Sequence, residues 1–455
     1  MKKNEEYIVT CIDDTDLNSG VVKIDDMVVF VPNLLIGEKA KIKIVKVNKT
    51  YAFGIITQLL KPSINRQELT CEVAKTCGGC QLQHMKYAYQ LDYKYKHVKK
   101  LFENIEMPLI KVLAEMQYEG IYVDKQELVS FGVKLKEDIE VIKQEIYKLA
   151  GEEFNINSTL QLGNILFEKL KLPVYKKTKK GYSTDVDILE KLKPEHPIIE
   201  KILEYRGFMK LNSTYIEGLI VYINEYTHKI HSYFHQTITA TGRISSTEPN
   251  LQNIPTRAEQ GKQIKKAFKA QEGNIFIDAD YSQIELRILA HISNDTNMRE
   301  AFLNEEDIHK QVASKVFNVP LEEVTKEQRT AAKAVNFGIV YGISGFGLAE
   351  QLGISRKKAE QYIEQYLEKY KGVKEFMDRI VEKAKEQGYV ETLFHRRRYI
   401  PELSSNNYMV RQFGARAAMN TPIQGTAADI MKIAMIEVNK KLEEEKLNAK
   451  LILQI

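Results

Sequence analysis

The sequence lacks any apolar run near the roughly 18 residues that a membrane-crossing helix requires. Its start, Met1-Lys2-Lys3-Asn4-Glu5-Glu6, has no apolar core for a secretory signal, so a cytoplasmic place is expected. Cysteine is scarce: there are four in 455 residues, and Cys71, Cys77 and Cys80 lie close together. Four do not make a disulfide framework in a chain this long; the cluster reads as metal ligation instead. Internal repeats and low-complexity tracts are also lacking. So is a strong charge of one sign, because the formal net charge is only +5. Basic runs are local: Lys176, Lys177, Lys179 and Lys180 surround Thr178, and Arg396, Arg397 and Arg398 follow His395. Such runs are usually solvated surface, and nucleic-acid contact is their less common use. With 44% apolar and 28% charged residues, disorder of the whole chain is excluded, and there is room for about two to four domains.

Short β segments are expected at Tyr7–Ile12, Val21–Ile24, Met27–Val31, Ala40–Val47 and Phe53–Leu59. Turn chemistry at Asn18-Ser19-Gly20, Asp25-Asp26 and Ile36-Gly37-Glu38 spaces them as in a small all-β barrel. Residues 61–104 hold the cysteines and then a Tyr- and Lys-rich amphipathic helix from Tyr87 to Phe102. From about Ile105 the pattern is helical. Leu128, Phe131, Leu135, Ile139, Ile142, Ile146 and Leu149 form one stripe on a long helix that Gly151 can end. Ser158 and Gln161 form a capping-box pattern opening a helix over Leu160–Leu170. A second β-rich patch covers Lys229–Ile244 and Asn274–Asp280, and helical periodicity resumes from Ser282.

Two segments carry chemistry. Asp280 follows the apolar run Ile275-Phe276-Ile277, where a strand is expected to give way to a helix; a carboxylate held at such an edge suits a divalent metal. Asp278, two residues earlier, reads as a solvated strand-end residue. On a helix, Arg329, Lys333, Phe337 and Tyr341 are four apart and share one slowly drifting face. Two cations followed by two rings match a nucleotide, with phosphates held by charge-assisted bonds and the base and sugar covered by a ring. Taken singly, each segment reads as well as ordinary solvated surface.

Taken together and in order, the segments resemble family A DNA polymerases from about Ile105 onward. Asp280-Tyr281-Ser282-Gln283-Ile284-Glu285-Leu286-Arg287 is similar to that family's motif A, and Arg329 to Gly342 to its motif B. Thr239 to Ser246, Pro249 to Pro255 and Asn420 to Asp429 are further matches, and five ordered motifs leave little room for coincidence. The resemblance implies an α+β right-hand polymerase fold behind a small OB-like β-barrel. It implies domains at 1–60 (TRAM-like barrel), 61–104 (cysteine-motif linker), 105–228 (thumb), 229–300 (first part of the palm), 301–400 (fingers) and 401–455 (palm return). It also implies primer-template DNA and deoxynucleoside triphosphates as partners of a monomeric DNA-directed DNA polymerase. By the resemblance Asp280 would ligate two Mg²⁺ ions, with the Tyr281 carbonyl helping one. Glu285 would exclude a ribose 2′-hydroxyl, and Gln283 would line the nucleotide site. Arg329, Lys333 and His309 would hold the triphosphate, Phe337 would lie against the nucleotide, and Tyr341 would sit where the template base arrives. Arg243, Arg416, Asn420 and Gln424 would follow the minor groove, and Lys176 and Lys177 would grip phosphates from the thumb.

The family's motif C, with its second metal-binding aspartate, is expected directly after Gln454, and Ile455 ends the sequence. Weak primer-template binding and very slow or no extension are therefore expected. The family's proofreading and 5′-nuclease regions have no counterpart in residues 1–105. That N-terminal part resembles the start of rRNA uracil-5-methyltransferases, in which a TRAM-type RNA-binding barrel precedes an iron–sulfur site. RNA is thus a further expected partner. Cys71, Cys77 and Cys80 supply three thiolates where four are the normal requirement, so a complete cluster is not expected. Cys11 falls in a barrel strand as a buried thiol, and no later cysteine can serve as the methyl-transfer nucleophile. The alternative left open is a non-catalytic nucleic-acid-binding hybrid, or a gene-fusion artefact joining two unrelated genes near Glu103 to Glu106.

Overall fold

Alternation of small apolar and polar residues builds the first element. In the computed structural model, which describes residues 1–14, 19–25, 27–48, 51–68, 82–178, 181–255 and 259–454, six strands form one sheet. They are β1 (Glu6–Thr10), β2 (Asp13–Asp14), β3 (Ser19–Ile24), β4 (Met27–Pro32), β5 (Lys39–Val47) and β6 (Tyr51–Lys61), in the order β1-β5-β6-β4-β3-β2. Among the described residues, only β4 and β6 pair in parallel. The sheet curls so that β1 also approaches β3. Val22, Val29, Val31, Ala40, Ile42, Ile44 and Ala52 fill its interior, the expected period-two pattern. Cys11 is buried there, and burial pushes its thiol up to about 11, which leaves it protonated and unreactive. Cys71, Cys77 and Cys80 lie outside the described residues, as do Lys179 and Lys180.

The chain divides into two compact units. The first comprises Met1–Ile110, Thr239–Arg243 and Tyr281–Val438; the second comprises Lys111–Ile238, Ile244–Asp280 and Asn439–Ile455. In the second unit the helix Lys125–Ala150 follows its sequence pattern closely. The Asp124 carboxylate accepts from the backbone N–H groups of Gln126 and Glu127 at 3.1 Å, and Gly151 ends the helix at φ 73°. Leu128, Leu135, Ile139, Ile142 and Ile146 are buried along one stripe, while Phe131 and Leu149 are partly buried beside it.

The next helix departs from expectation. The Ser158 hydroxyl accepts from Gln161 N at 3.4 Å, but the Gln161 side chain turns to Asn155 N at 2.7 Å, so only half of the capping box forms. The α-helix stops at Gly163 and continues to Lys169 with the wider π spacing. The β-rich patch is also shorter than its sequence suggests: Lys229–Ile230 pairs with Ile121–Tyr122, and Tyr233–His235 pairs with Ser245–Thr247. Asn274–Asp280 forms no strand, and Ile275 and Ile277 are 81% and 83% exposed. β propensity alone does not hold a strand, and among the described residues no neighbouring edge pairs with this segment.

In the first unit Tyr87–Leu101 is helical as expected. A large apolar core there gathers Leu286, Leu289, Val312, Val335, Ile339 and Tyr366 from four helices. No helix among the described residues is long and apolar enough to cross a membrane.

Candidate functional site

The helix Lys326–Val340 opens on a complete capping box. Gln328 N donates to the Thr325 hydroxyl at 3.2 Å, and the Gln328 side chain accepts from Thr325 N at 2.9 Å. Its Ala332, Val335 and Ile339 face is buried, which turns Arg329 and Lys333 outward. Lys333 Nζ lies 5.8 Å from the centre of the Phe337 ring. Arg329 Nε donates to Asp307 Oδ2 at 2.6 Å. The other oxygen of Asp307 caps the helix Ile308–Phe317, accepting from His309 N at 3.0 Å and Lys310 N at 3.1 Å. Burial works against the Asp307 charge, yet Arg329 and these N–H groups outweigh it and hold the carboxyl below its ordinary value.

His309, 3% exposed, stands behind these groups. Its Nδ1 is 2.8 Å from the Asn336 side-chain amide, and its ring is 5.9 Å from that of Phe337. Burial pushes the imidazole down to about 4; the opposing pull of Asp307 is outweighed, with Arg329 and Lys333 adding to the burial effect. His309 is thus neutral at pH 7 and can offer a hydrogen bond but not a charge.

A second constellation surrounds Glu285, in the first turn of the helix Ile284–Ser293 and only 6% exposed. Arg243 Nη2 donates to one carboxylate oxygen, and Tyr341 Oη donates to the other at 2.9 Å. Burial raises the Tyr341 phenol above its ordinary value, and the adjacent Glu285 carboxylate raises it further. Gln283 enters this helix from the left-handed region at φ 55°, and Tyr281 is 45% exposed. On the helix Tyr408–Glu444, Arg416, Asn420 and Gln424 recur at four-residue steps and are half-buried. Gly342, at φ 66°, lets Arg416 come close: a Cβ there would stand 2.9 Å from Arg416 Cγ.

Within the first unit the structure therefore brings together Arg329, Lys333, His309 and Phe337, and separately Arg243, Glu285 and Tyr341. Asp280 falls in the second unit, exposed in an extended segment without strand pairing, so the rigid strand edge expected for it is not formed. Among the described residues, no group of three or more His, Cys, Asp or Glu side chains could hold a metal ion. One carboxylate does not fit a pair of divalent ions. Lys176 pairs with Asp185 at 3.5 Å, and Lys177 lies 5.0 Å over the Tyr182 ring in the short hairpin of Lys177–Thr178 and Gly181–Tyr182. Sequence reasoning missed Asp307 and Asn336. The first had a signal, an Asp immediately before an apolar helical run; the second had none, since its partner lies 27 residues away.

Residues 125–455 match DNA polymerase family A, and residues 3–57 match the TRAM domain. DNA polymerase I of Bacillus caldotenax is 56% identical over 358 residues, 78% of this chain and 41% of that protein. DNA polymerase I of Bacillus subtilis (strain 168) is 55% identical over 357 residues, with the same 78% and 41% coverage. Among solved structures, the POL domain of Pol1 from M. smegmatis, in complex with DNA primer-template and dNTP, is 43% identical with a TM-score of 0.74. That likeness covers 81% of this chain and 65% of the other. The chain spans 41% of the length of these curated relatives. From residue 125 onward it belongs to DNA polymerase family A.

Proposed function

We propose that the chain binds primer-template DNA and a deoxynucleoside triphosphate, as a module for template-directed DNA synthesis. The observation that carries this reading is the single helical face on which Arg329, Lys333 and Phe337 follow one another, backed by neutral His309. Arg329 and Lys333 take the triphosphate, and His309 adds an uncharged donor. Phe337 covers the nucleotide, with Gln283 and Glu285 on its sugar side. Held from both sides by Arg243 and Tyr341, Glu285 is positioned to crowd a 2′-hydroxyl. Arg243, Arg416, Asn420 and Gln424 contact the duplex, and Lys176 and Lys177 its phosphates. In this reading 105–228 is the thumb, 229–300 and 401–455 belong to the palm, and 301–400 is the fingers.

The reaction so assigned is attack of a primer 3′-hydroxyl on the α-phosphorus, with pyrophosphate leaving. Divalent Mg²⁺ supplies charge neutralisation in such chemistry. Asp280 and the Tyr281 carbonyl offer it ligands, but two ions need more carboxylates than the described residues bring together. Binding is therefore the property to test. With a dideoxy-terminated primer, the complementary dNTP should tighten the protein–DNA complex at least about tenfold more than the other three. Equal effects of all four would refute template direction.

A second reading concerns the barrel, where RNA is the partner proposed. Phe30, Tyr51 and Phe53 form a contiguous ring cluster on β4 and β6, with centroids 5.6–5.9 Å apart and each ring partly exposed. Lys23 on β3 and Lys46 on β5 flank it through the strand registers. Rings bordered by cations suit unpaired bases, at about 1–3 kcal/mol per stacked base. Phe30→Ala should weaken binding of a labelled single-stranded RNA to the full chain; unchanged affinity would remove this reading.

A further inference from the structure

Four charged side chains from three distant stretches of the sequence meet inside the first unit. Asp429, fully buried on the helix Tyr408–Glu444, accepts from Thr392 Oγ1 at 2.7 Å and from Arg396 Nε at 2.8 Å and Nη2 at 2.6 Å. The same Arg396 Nη2 donates to Glu106, which also accepts from Lys432 Nζ at 2.8 Å; Lys432 is 1% exposed. Two cations and two anions balance, and each ammonium, guanidinium or carboxylate has an opposite neighbour. Such a cluster is weak evidence for stability, because desolvation offsets most of its attraction. What it fixes is geometry.

The Thr239–Arg243 turn rests on it. Gly242, at φ 82°, sits close against the Arg396 side chain: a Cβ there would stand 2.5 Å from Nε and 2.9 Å from Cζ. Gly425, one helical turn before Asp429, lets the Thr241 carbonyl and Thr392 approach in the same way, since its Cβ would meet them at 3.1 and 2.6 Å. The turn closes on itself through Thr239 Oγ1, which donates to Arg243 O at 2.6 Å. The next group along is the Arg243 guanidinium, bonded to Glu285.

We propose that the Glu106–Arg396–Asp429–Lys432 cluster is a positioning device, which seats the Thr239–Arg243 turn and thereby sets the grip of Arg243 on the Glu285 carboxylate. Arg396 and Glu106 touch no substrate; they act through Gly242. The consequence for sugar selection rests on the nucleotide-site reading given above for Glu285.

Two variants of the full chain test it. Arg396→Lys keeps the charge but cannot bridge Asp429 and Glu106 together, and Gly242→Ala keeps every charge while lifting the turn. Hydrogen–deuterium exchange without nucleotide should quicken at least about tenfold in both Thr239–Arg243 and Ile284–Leu289 for either variant. Arg243→Met should quicken only the second segment, and Val335–Val340 should keep its protection throughout. In the dideoxy-primer complex, all three variants should lower the preference for dNTP over the matching ribonucleotide at least about tenfold, and Arg396→Lys combined with Arg243→Met should go no lower than Arg243→Met alone. Unchanged exchange at Ile284–Leu289 in both Arg396→Lys and Gly242→Ala overturns the proposal, as does faster exchange that extends to Val335–Val340. Exchange that follows the expected order with an unchanged sugar preference supports the positioning role and overturns the gate role of Glu285 instead.

Discussion

Replacing Lys333 by methionine removes one ammonium while keeping most of the stem, and the structure gives reason to expect a change in binding without a change in folding. Lys333 is exposed, has no acidic partner among the described residues, and lies 5.8 Å over the Phe337 ring. Its loss strands no buried charge, so stability should stay within about 0.5 kcal/mol of the parent. A charge-assisted hydrogen bond to phosphate contributes about 1.5–3 kcal/mol, which corresponds to a roughly 10- to 150-fold weaker dNTP affinity. Arg329→Met is the informative contrast. Arg329 is paired with Asp307 at 2.6 Å, with side chains 43% and 36% exposed. That variant should lose a similar share of affinity and also up to about 1 kcal/mol of stability, since it leaves Asp307 unpaired. The assay is calorimetric titration of the full chain with dATP in Mg²⁺, alongside urea melts. An unchanged dATP affinity in Lys333→Met, with the parent binding measurably, would refute the assignment of this helix face to the triphosphate.

Acid should weaken the first unit in a way traceable to His309. Its folded value of about 4 lies below the ordinary 6.5, so the neutral form is the folded one; its stabilisation is complete above about 6.5 and is lost as pH falls toward 4. His309→Gln should flatten urea-melt stability between pH 6.5 and 4 by up to about 1.4 kcal/mol per pH unit, while His84, also pushed to about 4 by burial, keeps part of the slope. A slope identical to the parent's would count against a buried neutral imidazole. Ile146→Ala, at a fully buried position, should cost about 2–5 kcal/mol in urea melts, and a cost under about 1 would contradict the packing of the Lys125–Ala150 stripe. Thr325→Ala removes the capping-box hydroxyl and should cost about 0.5–2 kcal/mol, with faster amide exchange confined to the first turn of the Lys326–Val340 helix.

Local patterns in the sequence carried far into this structure. The period-two alternation of Ala40, Ile42 and Ile44, and the three-and-four stripe from Leu128 to Ile146, became buried faces because each depends only on neighbours in the chain. The Arg329, Lys333 and Phe337 face was legible for the same reason. The failures share the opposite cause. Ile275-Phe276-Ile277 has strand composition, but a strand also needs a neighbouring edge, and composition does not supply one. Ser158 and Gln161 have the spacing of a full box, yet Asn155 competed for the glutamine side chain. Arg396 was legible only as part of a basic run; its partners Asp429 and Glu106 lie 33 and 290 residues away, and no local pattern could mark it as half-buried and shared between two carboxylates.

Photocrosslinking tests the nucleotide site most directly. Full-length chain irradiated with 8-azido-dATP in Mg²⁺, digested and mapped by mass spectrometry, should carry the label between Arg329 and Gly342, with excess dATP protecting it and Lys333→Met reducing it. Protectable label confined to other segments, with none on that helix, would contradict the account.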